Sequence, residues 1–260
     1  MREVLAAPLA PGTAVYITWL PGDSPALRLE AAKALRGAGL RPVPHIAARY
    51  LEDADAVHDL LGRLSHEAGV DQILLIGGDV ERPRGPFRSG LDLLDAVPLE
   101  AFGIRRVGLP AYPEGHPRIP GSVLERALSA KVARLRASGI VPYVVTQFCF
   151  EAAPVLAWLT RFRTRGCDVP VHLGLAGPAR ISTLLKFAAT CGIGASLRAL
   201  RRNAGLTRIL TEAGPEPILR AIAADPRRAE VTRLHVFTFG GIARSASWLR
   251  DIADGETVAA

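Results

Sequence analysis

Short apolar runs recur along the chain, each separated from the next by a stretch with helical spacing. The runs are AVYITWL (14–20), RPVPHIAA (41–48), QILLIGG (72–78), RRVGLPAY (105–112), YVVTQFCF (143–150), VPVHLGLAG (169–177) and RLHVFTFGG (233–241). They are rich in β-branched and aromatic residues and lack clean alternation, as expected of strands buried on both faces. Helical spacing predicts helices over 24–39, 52–67, 121–138, 152–166, 179–192, 196–224 and 244–252. Asp23 or Ser24 can cap the first of these, and Gly37 and Gly39 can end it. Repeated βα units of about thirty residues predict an α/β fold built on a parallel sheet. No repeat, linker or low-complexity stretch divides the chain, so 1–260 reads as a single domain. A (β/α)8 barrel needs eight strands and seven are legible. The expectation is therefore a TIM-type barrel whose first βα unit is missing or abbreviated.

Composition narrows the classes. The net charge of +7 and pI of about 9.9 would suit an anionic partner. The basic residues are nearly all arginine, lysine standing only at 33, 131 and 186, and they are spread along the chain rather than gathered in an aromatic-interleaved stripe. No nucleic-acid partner is expected. No apolar run reaches the roughly 18 residues of a membrane span, and the first residues lack a signal-peptide core, so a cytoplasmic protein is expected. Cys149, Cys167 and Cys191 are far apart and read as reduced thiols. The six histidines are scattered and no metal site is expected. P-loop, GxSxG, HExxH and GxGxxG patterns are absent.

In parallel α/β folds ligands bind at the C-terminal strand ends. There the strands deliver Thr18; His45; Gly77, Gly78 and Asp79; Tyr112, Glu114 and His116; Thr146 and Gln147; Gly174; and His235, Phe237 and Thr238. Singly, each has a plain structural use: Asp79 as a turn or cap carboxylate, His45 as a hydrogen-bonded core residue. Gln147 is harder to explain that way, because a buried amide must satisfy several donors and acceptors.

AYPEGHP (111–117), VVTQFCFEA (144–152), LLIGGD (74–79), PHIAAR (44–49) and LHVFTF (234–239) stand in the order found in the methylenetetrahydrofolate reductase family, which this sequence resembles over roughly residues 14–250. The resemblance implies a barrel carrying FAD, reduced by NAD(P)H, and a folate substrate: interconversion of 5,10-methylenetetrahydrofolate and 5-methyltetrahydrofolate. It implies that Asp79, Gln147 and Phe187 meet the folate. It further implies that Thr18, His45, Gly77, Gly78, Tyr112, His116 and Lys131 lie near the flavin. Asp79 and Glu114 become the candidate catalytic groups. Three departures stand beside it. The family's Arg-Gly-Asp is here Gly77-Gly78-Asp79. Ala127 and Ala130 replace an Asn and an Arg that the family directs to the flavin. The family's general acid, a Glu at the end of the first strand, has no counterpart, and Glu114 is the substitute on offer. An alternative follows from these: a folate-binding barrel that has lost FAD. A homo-oligomer is left open.

Overall fold

The computed structural model describes residues 2–20, 22–190 and 212–253. The elements in chain order are α1 (Arg2–Ala6), β1 (Ala14–Ile17), α2 (Pro25–Gly37), β2 (Arg41–Ala47), α3 (Ala54–Ala68), β3 (Gln72–Ile76), α4 (Gly90–Ala96) and β4 (Arg106–Ala111). Then come α5 (Gly121–Ala137), β5 (Val141–Thr146), α6 (Ala152–Thr164), β6 (Val171–Ala176), β7 (Ala179–Arg180), α7 (Ile181–Thr190), β8 (Glu212–Ala213), α8 (Glu216–Ala223), β9 (Val231–Phe237) and α9 (Ile242–Ala253). Seven strands pair in the order β1-β2-β3-β4-β5-β6-β9, and β7 and β8 form a separate antiparallel pair. The fold is thus α/β, and every pairing described in the large sheet is parallel.

The seven predicted strands are all present. The differences lie between them. The chain ahead of β1 forms a short helix, so no strand precedes β1 among the described residues. Helix α4 was not legible as an apolar period. It is only seven residues long and is started by Ser89, whose side chain accepts from the Asp92 amide while Asp92 accepts from the Ser89 amide. Residues 196–211 of the long helix predicted over 196–224 lie outside the described residues. Its remainder is the two-residue strand β8, a turn at Gly214-Pro215 and helix α8. Proline at the start of α8 explains the break, since it begins a helix well and continues one poorly.

The described chain divides into two compact units. The first holds Leu9–Pro110 and Glu125–Tyr143. Within it β1, β2, β3 and β4 pair successively, and α2 and α3 cover the sheet with Leu29, Ala32 and Leu35 and with Val57, Leu60, Leu61 and Leu64. Asp53 starts α3 by accepting the Ala56 N–H (2.8 Å), and Gly69 ends it at φ 57°, a left-handed conformation that glycine adopts without strain. Arg36 of α2 donates to the Ala68 carbonyl (3.0 Å), tying the two helices at that end.

Tyr143 is the polar hub of this unit's interior. Its ring is fully buried, its hydroxyl receives the Gln72 amide N–H (2.8 Å), and it shares a hydrogen bond with Tyr16 (3.1 Å). Gly108 on β4 exists to make room for it: a Cβ there would stand 2.6 Å from the Tyr143 ring and 2.8 Å from Leu74.

The second unit holds Arg2–Pro8, Ala111–Leu124 and the chain from Val144 onward. Here β6 is the fully buried strand, with Val144 of β5 opposite Val171 and Gly174 opposite His235 of β9. Strand β9 is less covered, with Thr232, Arg233 and Leu234 exposed. No helix among the described residues is long and apolar enough to cross a membrane.

The Tyr143–Gly108 fit yields a test. Gly108→Ala forces a methyl into the space of a buried ring, and overpacking of this kind costs about 1–3 kcal/mol. Urea unfolding is expected to show a loss in that range, and the losses of Gly108→Ala and Tyr143→Leu are expected to be less than additive in the double variant.

Candidate functional site

In the first unit Thr18, Gly77, Gly78 and Asp79 lie just past strand ends, and His45 and Lys131 lie within elements. Thr18 follows β1 and is exposed. His45 lies within β2 with the Tyr16 ring edge-on to it at 6.1 Å. Gly77, Gly78 and Asp79 follow β3 directly. The two glycines differ in purpose. Gly78 adopts φ 92°, and a Cβ on it would meet the Tyr50 ring at 3.0 Å, so backbone and packing both ask for glycine. Gly77 has no such need: a Cβ there would meet nothing within 4 Å. The space over residue 77 is open, and a longer side chain or a flat ligand could fill it.

Asp79 is exposed but not free-swinging. The Tyr50 hydroxyl donates to its Oδ1 at 2.6 Å. That bond is the main reason the Tyr50 phenol is pushed above its ordinary pKa, with burial second. Tyr50 was not among the residues sequence reasoning selected; its place in the turn ARY after β2 gave no chemical signal. Lys131 sits in the middle of α5, and burial lowers the pKa of its ammonium, with no ion pair among the described residues to offset this.

In the second unit, Tyr112 follows β4 and faces His116 edge-on (5.3 Å, 89°). Burial raises the Tyr112 pKa. His116 accepts the Arg118 backbone N–H on Nδ1 (3.2 Å), so its neutral form carries the proton on Nε2. Burial, then the Arg118 charge, lowers its pKa and favours that neutral form. Glu114, between them in sequence, engages the buried Cys149 thiol, whose pKa is driven well up by burial and then by this carboxylate. The Glu114–Cys149 pairing was missed from the sequence, where Cys149 read simply as a core thiol.

Gln147 follows β5. Its backbone is firmly placed: its N–H donates to the Ala111 carbonyl (2.9 Å), and its carbonyl accepts the Thr146 hydroxyl (2.9 Å) and the Cys149 thiol (3.6 Å). Its side-chain oxygen is buried and has no hydrogen-bond partner among the described residues. Phe187, on α7, is 36% exposed and stacks on Phe239. His235 on β9 is edge-on to Phe237 at 4.7 Å, and burial lowers its pKa to about 4. Gly174, opposite it, belongs to the packing of β5 against β6. Among the described residues no group of three or more His, Cys, Asp or Glu side chains is placed to hold a metal ion.

A seven-stranded sheet whose described pairings are parallel, with helices between its strands, defines an α/β protein. The methylenetetrahydrofolate reductase family matches residues 9–199, and the chain belongs to that family. Methylenetetrahydrofolate reductase 2 of Saccharomyces cerevisiae is 25% identical over 171 residues, 62% of this chain and 28% of the yeast protein. The chain thus aligns with little more than a quarter of that relative's length. Two solved structures are more remote. L-sorbose reductase from Gluconobacter frateurii has 16% identity and a TM-score of 0.32, with 89% of this chain and 97% of that one covered. A GH128 endo-β-1,3-glucanase from Amycolatopsis mediterranei has 15% identity and a TM-score of 0.30, with 92% and 98% covered. At these scores neither bears on function.

The depressed pKa of His235 makes a pH prediction. The folded chain holds this imidazole neutral down to about pH 4, whereas the unfolded chain protonates it near 6.5. Below about 6.5 the unfolded state therefore binds the extra proton, and stability falls as pH drops from 6.5 towards 4. In His235→Gln this part of the loss is expected to vanish, as read from urea unfolding at pH 7, 5.5 and 4.5. The imidazole resonances of His235 should stay unshifted above pH 5.

Proposed function

We propose that this chain interconverts 5,10-methylenetetrahydrofolate and 5-methyltetrahydrofolate as a flavin-dependent oxidoreductase using NAD(P)H. Beyond family membership, the observation that carries the reading is the Gln147 side-chain oxygen, buried and unpaired. Leaving such a group unsatisfied costs about 1–3 kcal/mol. A ligand N–H would satisfy it, and the pterin edge offers N–H donors. Asp79 of the first unit fits the same chemistry, since Tyr50 occupies Oδ1 and leaves Oδ2 for a ligand donor.

A flavin fits the remaining features. The first unit has open space over Gly77 for a flat ring and an uncompensated ammonium at Lys131 for an anionic group. Thr18 and His45 are the further residues of this unit that would hold it. When bound, FAD supplies a hydride carrier between NAD(P)H and the folate methylene carbon. The chain's own part is to bind, orient and protonate. Opening the bridging ring of methylenetetrahydrofolate requires a proton on the departing ring nitrogen, and Glu114, oriented by its contact with Cys149, is the proposed donor. General acid catalysis of this kind is typically worth about 10²–10⁴-fold. The fold reading that accompanies this function is the family's TIM-type barrel, forming one domain.

A second reading is a folate-binding barrel without FAD. The absence of any side chain at Gly77 favours it, as do the methyl groups of Ala127 and Ala130 on α5, where the resemblance expects polar groups. The visible spectrum of purified protein, before and after adding FAD and desalting, separates the two. Flavin bands near stoichiometry support the reductase. Folate binding without flavin supports the second reading.

Gln147→Ala tests the shared folate site. Its dissociation constant for 5-methyltetrahydrofolate is expected to rise by about tenfold, the size of one lost hydrogen bond at a buried position. The melting temperature should stay close to wild type, because the amide makes no side-chain bond through Oε1 to lose. An unchanged folate affinity would remove Gln147 from the site.

A further inference from the structure

Five of the chain's eight phenylalanines, at 148, 150, 187, 237 and 239, gather in the second unit. Phe148 is buried and meets Phe150, Phe237 and Phe239 edge-to-face at 5.8, 5.5 and 4.8 Å. Two further contacts are of another kind. Phe187 lies nearly parallel to Phe239 (4.2 Å, 19°), and Phe239 lies nearly parallel to Phe237 (5.8 Å, 15°). The order of the stack is therefore Phe237, Phe239, Phe187, with the 36% exposed ring at its outer end. A ring covered on one flat face and still that exposed shows water its other side.

The backbone explains why Phe239 is the fixed member. Its N–H donates to the Phe237 carbonyl (2.9 Å), a tight turn directly past β9 that sets the two rings side by side. The same carbonyl accepts the Gly177 N–H (2.9 Å), binding the turn to the end of β6. Gly240 follows, and a Cβ there would stand 2.0 Å from the Pro178 carbonyl oxygen, so the turn is pressed against the segment that leads into α7. Phe239 is held by backbone on one side and by Phe148 on another. Phe187, on a helix surface, takes its orientation from the ring beneath it.

We propose that Phe239 is a positioning residue: it sets the plane of the Phe187 ring and makes the outer face of that ring a preformed platform for the planar ring of a folate. The identity of the ligand rests on the function proposed above; the holding of Phe187 by Phe239 does not. Ordering a ring before the ligand arrives removes an entropic cost from binding. Aromatic pairs contribute on the order of 0.5–1.5 kcal/mol beyond area burial, which corresponds to roughly two- to tenfold in affinity.

Two measurements decide it. In ligand-free protein with ring-labelled phenylalanine, the Phe187 ring is expected to be motionally restricted in the wild type and in Phe239→Tyr, and to average freely in Phe239→Leu. In binding of 5-methyltetrahydrofolate, Phe239→Leu is expected to weaken affinity about fivefold when Phe187 is present, and to have no effect in the Phe187→Ala background. Equal ring motion in wild type and Phe239→Leu, or additive losses in the double variant, would overturn the proposal, since a merely structural Phe239 predicts additivity. A wild type that binds no folate would sink the folate reading and the ligand half of the proposal, while the ring-motion arm would still decide whether Phe239 holds Phe187.

Discussion

A strand and a loop come closer in the second unit than any side chain but glycine permits. A Cβ on Gly174 would stand 2.2 Å from the Thr146 carbonyl oxygen and 2.7 Å from that of Gln147. With hydrogen in its place, the Gly174 N–H reaches the Thr146 hydroxyl at 2.8 Å, and that hydroxyl donates onward to the Gln147 carbonyl at 2.9 Å. One threonine oxygen thus satisfies β6 and shapes the end of β5. The main-chain polar groups of Gln147 are committed to Ala111, Thr146 and Cys149. Its side-chain oxygen is buried and has no partner among the described residues. The arrangement satisfies the main-chain groups at this strand end and leaves the amide oxygen as the acceptor on which the folate reading proposed above depends.

This explains what could be read from the chain and what could not. All seven strands of the large sheet were legible as apolar runs, β2 to β6 because they are largely buried and the less covered β1 and β9 because their sequences are apolar all the same. Gln147 stands out in the sequence as a candidate because an amide between Val145 and Phe148 breaks that apolar pattern. Tyr143 reads from sequence as one more apolar position in YVVTQFCF, yet its hydroxyl organises the interior of the first unit with Gln72 and Tyr16. That role depends on partners 71 and 127 residues away, and no local pattern encodes them. Gly108 is invisible for the same reason. Its glycine answers a ring on another strand, not a turn. The helix predicted through 224 failed where Gly214 and Pro215 break it, a signal that the apolar spacing of the surrounding residues outweighed.

The opening glycines of the site show the same division. Gly77 and Gly78 look alike in sequence and were read alike. Gly78 is demanded by a left-handed backbone and by Tyr50. Gly77 is demanded by neither. A glycine without a conformational or packing reason costs backbone entropy for nothing, so its cause lies in what approaches it or in what the chain no longer needs there.

That distinction bears on the balance between flavin and folate. The residues tied by resemblance to the folate keep their chemistry: Gln147 has a free acceptor, Asp79 has a second carboxylate oxygen, and Phe187 presents an exposed ring. Those tied to the flavin are thinned to small residues at 77, 127 and 130, leaving Lys131 as the charged group, with its pKa lowered by burial. A desolvated cation without a counter-charge is poorly placed on its own and well placed beside an anion. Under the flavin reading proposed above, Lys131 is the group in the first unit with which an anionic ligand would pair. Such binding would draw on one charge and on ring contact rather than on a set of directional hydrogen bonds. It would be weakened by salt, whereas a contact through the buried Gln147 amide and the Phe187 ring would not.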